Sequence, residues 1–221
     1  MPISKKSAVL FDLDGTLLDT APSLHTALNK VLRLHQRPEL ELHLTRPLAS
    51  HGATGLLRLG FGENFNPTTR DELRKQFLDA YAEDVSSETN YFDGVVAMLS
   101  SLQQADIPYA IVTNKPTQFT HALLPDFAAL QQAGAVVCGD TLHVAKPDPA
   151  PLLYAAEQLG ITAQDCWYVG DAERDIQAGK GAGMQTVLAT YGYLSDEDDI
   201  QAWQAHYHIE HANDLFALLG K

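Results

Sequence analysis

Ala8-Val9-Leu10-Phe11-Asp12-Leu13-Asp14-Gly15-Thr16 carries an unbroken apolar tetrapeptide straight into two carboxylates and a Gly-Thr turn pair. A short apolar run with no polar alternation fits a strand covered on both faces, as in a parallel sheet packed between helices. Outward from it the chain repeats the theme: apolar runs at 109–112, 135–137, 167–169 and 186–189 alternate with longer segments. Segments 94–105, 149–159 and 171–182 have apolar positions at helical spacing and end near turn-forming residues, and 213–219 reads as a last helix capped by Asn213. The expected fold is α/β, a parallel sheet flanked by helices with a Rossmann-like core.

About ninety residues separate the first two runs, far beyond a single-helix crossover. Patterns at 21–34, 40–48, 53–59 and 68–85 supply an inserted helical bundle. The chain therefore divides into a first core part at 1–19, a helical cap at 20–89 and a second core part at 90–221. Within the cap, Ser50, His51 and Gly52 form a polar break that suits a loop facing the sheet. With Arg46 and Lys115 they are candidates for contacting the organic part of a substrate, structural loop roles being the equal alternative.

Three runs end abruptly in polar residues: Phe11 gives way to Asp12, Val112 to Thr113, and Val169 to Gly170 and Asp171. The carboxyl ends of parallel strands share one edge, so Asp12, Asp14, Thr113 and Asp171 converge on one crevice. Carboxylates gathered this way need a cation, and an all-oxygen set favours Mg²⁺. Asp12 and Asp171 would contribute carboxylates and Asp14 its backbone carbonyl, while Asp175, one turn beyond Asp171, would bind directly or through water. A phosphoryl group would meet the metal, the turn amides, Thr113, Asn114 and a lysine. Lys146 is the best lysine, because Lys146-Pro147-Asp148-Pro149 marks a helix start. Asp12 could then attack phosphorus while Asp14 serves as acid and base. Thr113 and Asn114 could also cap a helix starting near Pro116, a role that can coexist with phosphate binding.

The runs FDLDGTLLDT from Phe11, VTNKP from Val112, KPDP from Lys146 and GDAERD from Gly170 resemble, in order, the four motifs of the haloacid dehalogenase superfamily. The resemblance spans nearly the whole chain. It implies a magnesium-dependent phosphatase with Asp12 as nucleophile, Asp14 as acid and base, Thr113 and Lys146 on the phosphate, and Asp171 with Asp175 at the Mg²⁺; the insertion matches that family's helical cap. The run TNKPTQF and the Tyr191-Gly192-Tyr193 triplet resemble the branch acting on 2-phosphoglycolate. Those features, together with the acidic stretch 196–199 and Trp203, also resemble a branch acting on N-acetylmuramate 6-phosphate. A phosphomutase and a noncatalytic phosphate-binding protein are the readings from other classes.

A net charge of −13 argues against a nucleic-acid partner, which would call for a lysine- and arginine-rich surface. No apolar run reaches the roughly 20 residues of a membrane helix. The first seven residues are too short and polar for a signal peptide, so a cytoplasmic location is expected. Cys138 and Cys166 read as small core residues, and His206, His208 and His211 as surface histidines.

Overall fold

The computed structural model describes residues 7–220; the first six residues of the opening segment, and Lys221, lie outside the described residues. Strand β1 (Ala8–Phe11) leads to a short β2 (Leu18–Asp19), after which the chain leaves for helices α1 (Ala21–Leu34), α2 (Leu42–Thr45), α3 (Gly52–Phe61) and α4 (Arg70–Ala82). It returns at β3 (Asn90–Tyr91). Then follow α5 (Val95–Gln104), β4 (Tyr109–Val112), α6 (Thr117–Leu123), β5 (Ala135–Val137), α7 (Ala150–Leu159), β6 (Cys166–Gly170), α8 (Glu173–Gly181), β7 (Gln185–Ala189), α9 (Ile200–Trp203), β8 (Tyr207–Ile209) and α10 (Asp214–Leu218). Among the described residues no helix is long and apolar enough to cross a membrane.

Six strands form one sheet in the order β5-β4-β1-β6-β7-β8, every pairing parallel. β1 lies between β4 and β6, with Phe11 opposite both Ile111 and Val169. The chain builds outward from β1 through β4 to β5, then crosses to β6 on the other side, which opens a crevice at the carboxyl end of β1. Alternating side chains divide the interior. Val9, Phe11, Ile111 and Val169 join a cluster on one face, whereas Ala8, Leu10, Val112 and Tyr168 join another that includes Leu152 and Ala155 of α7 and Ala178 of α8. The first cluster continues into the inserted helices through Leu24 and Leu28 of α1, Leu57 of α3, and Phe77 and Tyr81 of α4.

Strands β2 and β3 pair antiparallel, Leu18 opposite Tyr91 and Asp19 opposite Asn90, where the inserted segment leaves and re-enters. This ribbon is too short for strand periodicity to register in the sequence. The polar break expected at 50–52 is not an open loop. Ser50 and His51 end a 3-10 helix (Arg46–His51), and Gly52, at φ +59°, turns directly into α3. Asn213 precedes α10 but makes no side-chain capping bond, and Thr113 and Asn114 make none to α6, where Asp140 accepts the Thr117 N–H at 2.8 Å. His206, His208 and His211 are exposed, and the Nδ1 of His206 accepts the Thr186 N–H at 3.0 Å.

Two glycines let the loops above β1, β6 and β7 meet. A Cβ on Gly15, which has φ +88°, would lie 2.2 Å from Asp171 Oδ2. One on Gly192 would lie 2.3 Å from Asp171 Cβ and 2.4 Å from the Gly15 carbonyl oxygen. Gly192→Ala should destabilise the protein by about 1–3 kcal/mol through this overpacking. A fall in melting temperature of roughly 2–10 °C is expected by calorimetry, and an unchanged melting temperature would contradict the crowding.

Candidate active site

Asp12 immediately follows β1, Asp171 follows β6, and Asp175 lies in the first turn of α8. All three are buried, and one carboxylate oxygen from each falls within 4.8 Å of the others. The arrangement is held from several sides. Asp171 accepts hydrogen bonds from the Ser50 hydroxyl at 2.8 Å, the Tyr193 N–H at 3.0 Å and Thr16 Oγ1 at 3.3 Å. Asp175 accepts the Ala172 N–H at 3.0 Å and the Tyr168 hydroxyl at 3.1 Å.

Burial drives the Asp171 carboxyl upward, the charges of Asp12 and Asp175 push the same way, and its pKa reaches about 7. Burial also raises Asp12, and the nearby Lys146 does not fully offset it. At Asp175 burial is outweighed by the positive charges of Lys146 and Arg174, so the carboxyl lies below its ordinary value. Three crowded carboxylates with oxygen-only donors suit a hard divalent cation, which relieves their repulsion.

Lys146 is the buried counter-charge. Its Nζ lies 2.8 Å from Asp12 Oδ1, Asp175 Oδ1, the Val112 carbonyl and the Tyr168 hydroxyl. Three N–H groups therefore serve four acceptors. The side chain of Asn114 braces this lysine: its Nδ2 donates to the Lys146 carbonyl at 2.9 Å and its Oδ1 accepts the Lys146 N–H at 3.0 Å. The Asn114 side chain, expected on phosphate, is thus engaged as a support. Lys146 itself precedes α7 by four residues, so the expected placement at a helix N-terminus is replaced by a side chain reaching inward.

Asp14 has a separate cation. Its Oδ1 pairs with Lys115 Nζ at 2.8 Å and accepts the Thr20 hydroxyl at 2.6 Å. Burial alone would raise this carboxyl; Lys115 and Thr20 more than reverse that and hold it below the usual range. The ammonium of Lys115 also lies 4.7 Å from the ring centroid of Tyr81 on α4, which ties the sheet edge to the inserted helices. Thr113 is buried and its hydroxyl accepts the Lys115 N–H at 3.0 Å.

Above these groups opens a cavity of about 420 Å³. Asp12, Asp14, Thr113, Lys115 and Arg174 form a polar floor; Leu24, Phe77, Leu78 and Phe119 form an apolar wall. Ser50, His51 and Gly52 line it, as the sequence suggested, together with Arg74. Arg46 does not. It makes a bidentate pair with Asp19 at 2.9 Å through both terminal nitrogens, and Tyr193 adds its hydroxyl to the same carboxylate at 3.0 Å. Arg174, Tyr168 and Tyr193 also belong to the site and are not singled out by the sequence. Arg174 stands inside the quoted GDAERD run and Tyr193 inside the aromatic triplet, while Tyr168 shares the sheet face of Leu10 by alternation.

A family model described as haloacid dehalogenase-like hydrolase matches residues 9–189. A phosphoglycolate phosphatase of Xanthomonas campestris pv. campestris (strain 8004) is 41% identical over 209 residues, covering 95% of this chain and 94% of that protein. An N-acetylmuramic acid 6-phosphate phosphatase of Pseudomonas aeruginosa PAO1 is 34% identical over 214 residues, covering 97% and 95%. The crystal structure of a predicted phosphoglycolate phosphatase from Haemophilus somnus 129pt superposes with a TM-score of 0.86 at 25% identity, covering 97% of this chain and 98% of that one. The chain belongs to the haloacid dehalogenase-like hydrolases and is a phosphatase of that family.

Proposed function

We propose that this phosphatase hydrolyses a small organic phosphomonoester in a Mg²⁺-dependent reaction through an aspartyl phosphate on Asp12. The observation that carries the reading is the pairing of Asp12, set among two carboxylates and Lys146, with Asp14, which is set apart on its own lysine. Two carboxylates two residues apart in different environments can divide the labour of nucleophile and proton carrier.

An oxygen of Asp12 attacks phosphorus, the bond from phosphorus to the substrate's alkoxide oxygen breaks, and Asp14 gives that oxygen a proton. Asp14 then takes a proton from water as it attacks the phosphoryl-aspartate, and the Asp12 carboxylate is released with inorganic phosphate. The lowered pKa of Asp14 suits the second half; an anion arriving beside it raises its proton affinity for the first. Lys146 aligns Asp12 and offsets its charge, Asn114 positions Lys146, and Thr113 offers its hydroxyl to a phosphate oxygen. Asp12, Asp171, Asp175 and the Asp14 carbonyl would hold the Mg²⁺, which would supply positive charge toward the phosphoryl oxygens. Ser50, His51 and Gly52, in a cap spanning 20–89, and Lys115 of the core face the remainder of the substrate.

For the substrate we favour 2-phosphoglycolate, in line with the relative at 41% identity. One observation supports N-acetylmuramate 6-phosphate as the second reading. A cavity of about 420 Å³ with Phe77, Leu78 and Phe119 in its wall offers more apolar surface than a two-carbon acid can use.

Asp12→Asn should abolish turnover with the fold intact, whereas Asp14→Asn should lose about 10²–10⁴ in kcat, most severely for poor leaving groups. Steady-state rates across aryl and alkyl phosphates read both; a loss at position 14 that ignores the leaving group assigns it to positioning.

Exhaustive chelation should stop activity and Mg²⁺ restore it. A carboxyl at about 7 in the fold, against 3.8 ordinarily, keeps its proton in that interval, so metal-free stability falls from Asp171 as pH rises between those values. Mg²⁺ competes with that proton, and the melting-temperature gain it confers should be larger at about pH 7.5 than at about pH 5. A gain independent of pH would separate the cation from this carboxylate.

In a substrate screen, kcat/KM for 2-phosphoglycolate should exceed that for N-acetylmuramate 6-phosphate by at least about tenfold. The reverse order selects the second reading, and inorganic phosphate released without a sugar acceptor counts against a mutase.

A further inference from the structure

Three cations surround Asp12 and Asp14, and they differ in what they have left to offer. Lys146 is shared among four acceptors, and Lys115 is drawn to Asp14 while lying on the Tyr81 ring. Arg174 is different. Its side chain is 20% exposed and lines the cavity floor beside Asp12 and Thr113, and its buried Nε meets no acceptor among the described residues. The Asp12 Oδ2 lies 3.7 Å from its Nη2, close enough to attract but too far for a hydrogen bond.

An arginine present only to neutralise Asp12 would close to the roughly 2.7–2.9 Å of a charge-assisted bond, the distance Lys146 reaches on the other oxygen. Nor is it matched by its helix neighbours. Glu173 accepts from Gln177 at 2.8 Å, and Asp175 is taken by Lys146, Tyr168 and the Ala172 N–H. A planar fork of donors, desolvated on one edge and open to the cavity on the other, is built for two oxygens of one anion.

We propose that Arg174 is a further catalytic residue, binding two non-bridging oxygens of the phosphoryl group through its guanidinium as that group passes from the substrate to Asp12. The assignment rests on the phosphatase reading above. It gives the transferred group a cation with free donors, which neither lysine supplies, and sets it on the first turn of α8 where the backbone fixes its position next to Asp175.

The test compares the full chain with Arg174→Gln and Arg174→Lys in Mg²⁺, using p-nitrophenyl phosphate for turnover, inorganic phosphate and orthovanadate as inhibitors, and melting-temperature titrations for Mg²⁺ affinity. Arg174→Gln should lower kcat/KM on the order of 10²-fold. It should weaken inhibition by phosphate and vanadate at least about tenfold. Mg²⁺ affinity should not weaken, because a positive neighbour of the carboxylates has been removed. Arg174→Lys should recover only part of the anion affinity, a point charge replacing a fork.

Unchanged phosphate and vanadate inhibition in Arg174→Gln overturns the assignment, leaving the arginine as a counter-charge only. Should that variant fail to fold, Arg174→Lys decides: weaker phosphate binding supports the fork, and wild-type binding rejects it. A wild-type chain that releases no phosphate from any monoester refutes the phosphatase reading, while phosphate calorimetry on the wild-type and variant chains still decides whether Arg174 binds the anion.

Discussion

Negative charge buried at one point, where Asp12, Asp171 and Asp175 bring oxygens within 4.8 Å of one another, is what the surrounding structure has to answer. In a medium of low polarity such a cluster is costly unless each charge has partners. The molecule meets that cost with Lys146 on Asp12 and Asp175, with backbone N–H groups of Leu13, Ala172 and Tyr193, and with hydroxyls from Thr16, Ser50 and Tyr168. What remains uncompensated appears as the Asp171 carboxyl near 7. The Mg²⁺ proposed above would complete the balance, so that catalytic readiness and charge balance would be reached together.

The inserted helices share in the same balance. Ser50, at the end of a 3-10 helix far from the sheet in sequence, donates to Asp171, and Tyr81 of α4 covers the ammonium of Lys115. At the ribbon, Arg46 grips Asp19, and the Tyr193 hydroxyl contacts Asp19 while its own N–H bonds Asp171. Tyr193 thus joins the Asp171 carboxylate and the exit strand of the insertion through one residue.

The strand ends were legible because an apolar run stopping at Asp12, Thr113 or Asp171 carries its own boundary, and the sheet's parallel pairing follows from helix-length spacers. The convergence of Asp12 and Asp171 follows from topology, and the place of Asp175 from its position one helical turn beyond Asp171. What remained hidden depends on which side chain finds which partner in space. Arg46 has the right chemistry to contact the organic part of a substrate, but Asp19 takes it once β2 and the 3-10 helix are packed together. Asn114 looks like a ligand beside Thr113, yet its amide matches the peptide N–H and C=O of Lys146. Ser50 has the chemistry of a substrate contact, and only the closeness of the inserted helices to β6 reveals that it also orients a carboxylate. Two-residue strands such as β2 and β3 are below the length at which alternation can be recognised.

A chain of net charge −13 that handles anions must decide where repulsion acts and where attraction does. Of its 15 lysines and arginines, Lys115 and Arg174 line the floor of one cavity, and Lys146 is buried against Asp12 of that floor. At physiological salt a surface charge is screened within about 8 Å, so the acidic exterior exerts little force on a phosphate until it reaches the mouth. Inside, the apolar wall of Leu24, Phe77 and Phe119 lowers the local dielectric and lets the same few cations act far more strongly. Attraction is thereby confined to the place where phosphorus must sit. The wall strengthens the field that grips the phosphate and also presents the surface against which the rest of the substrate packs, so electrostatic capture and selectivity depend on the same helices.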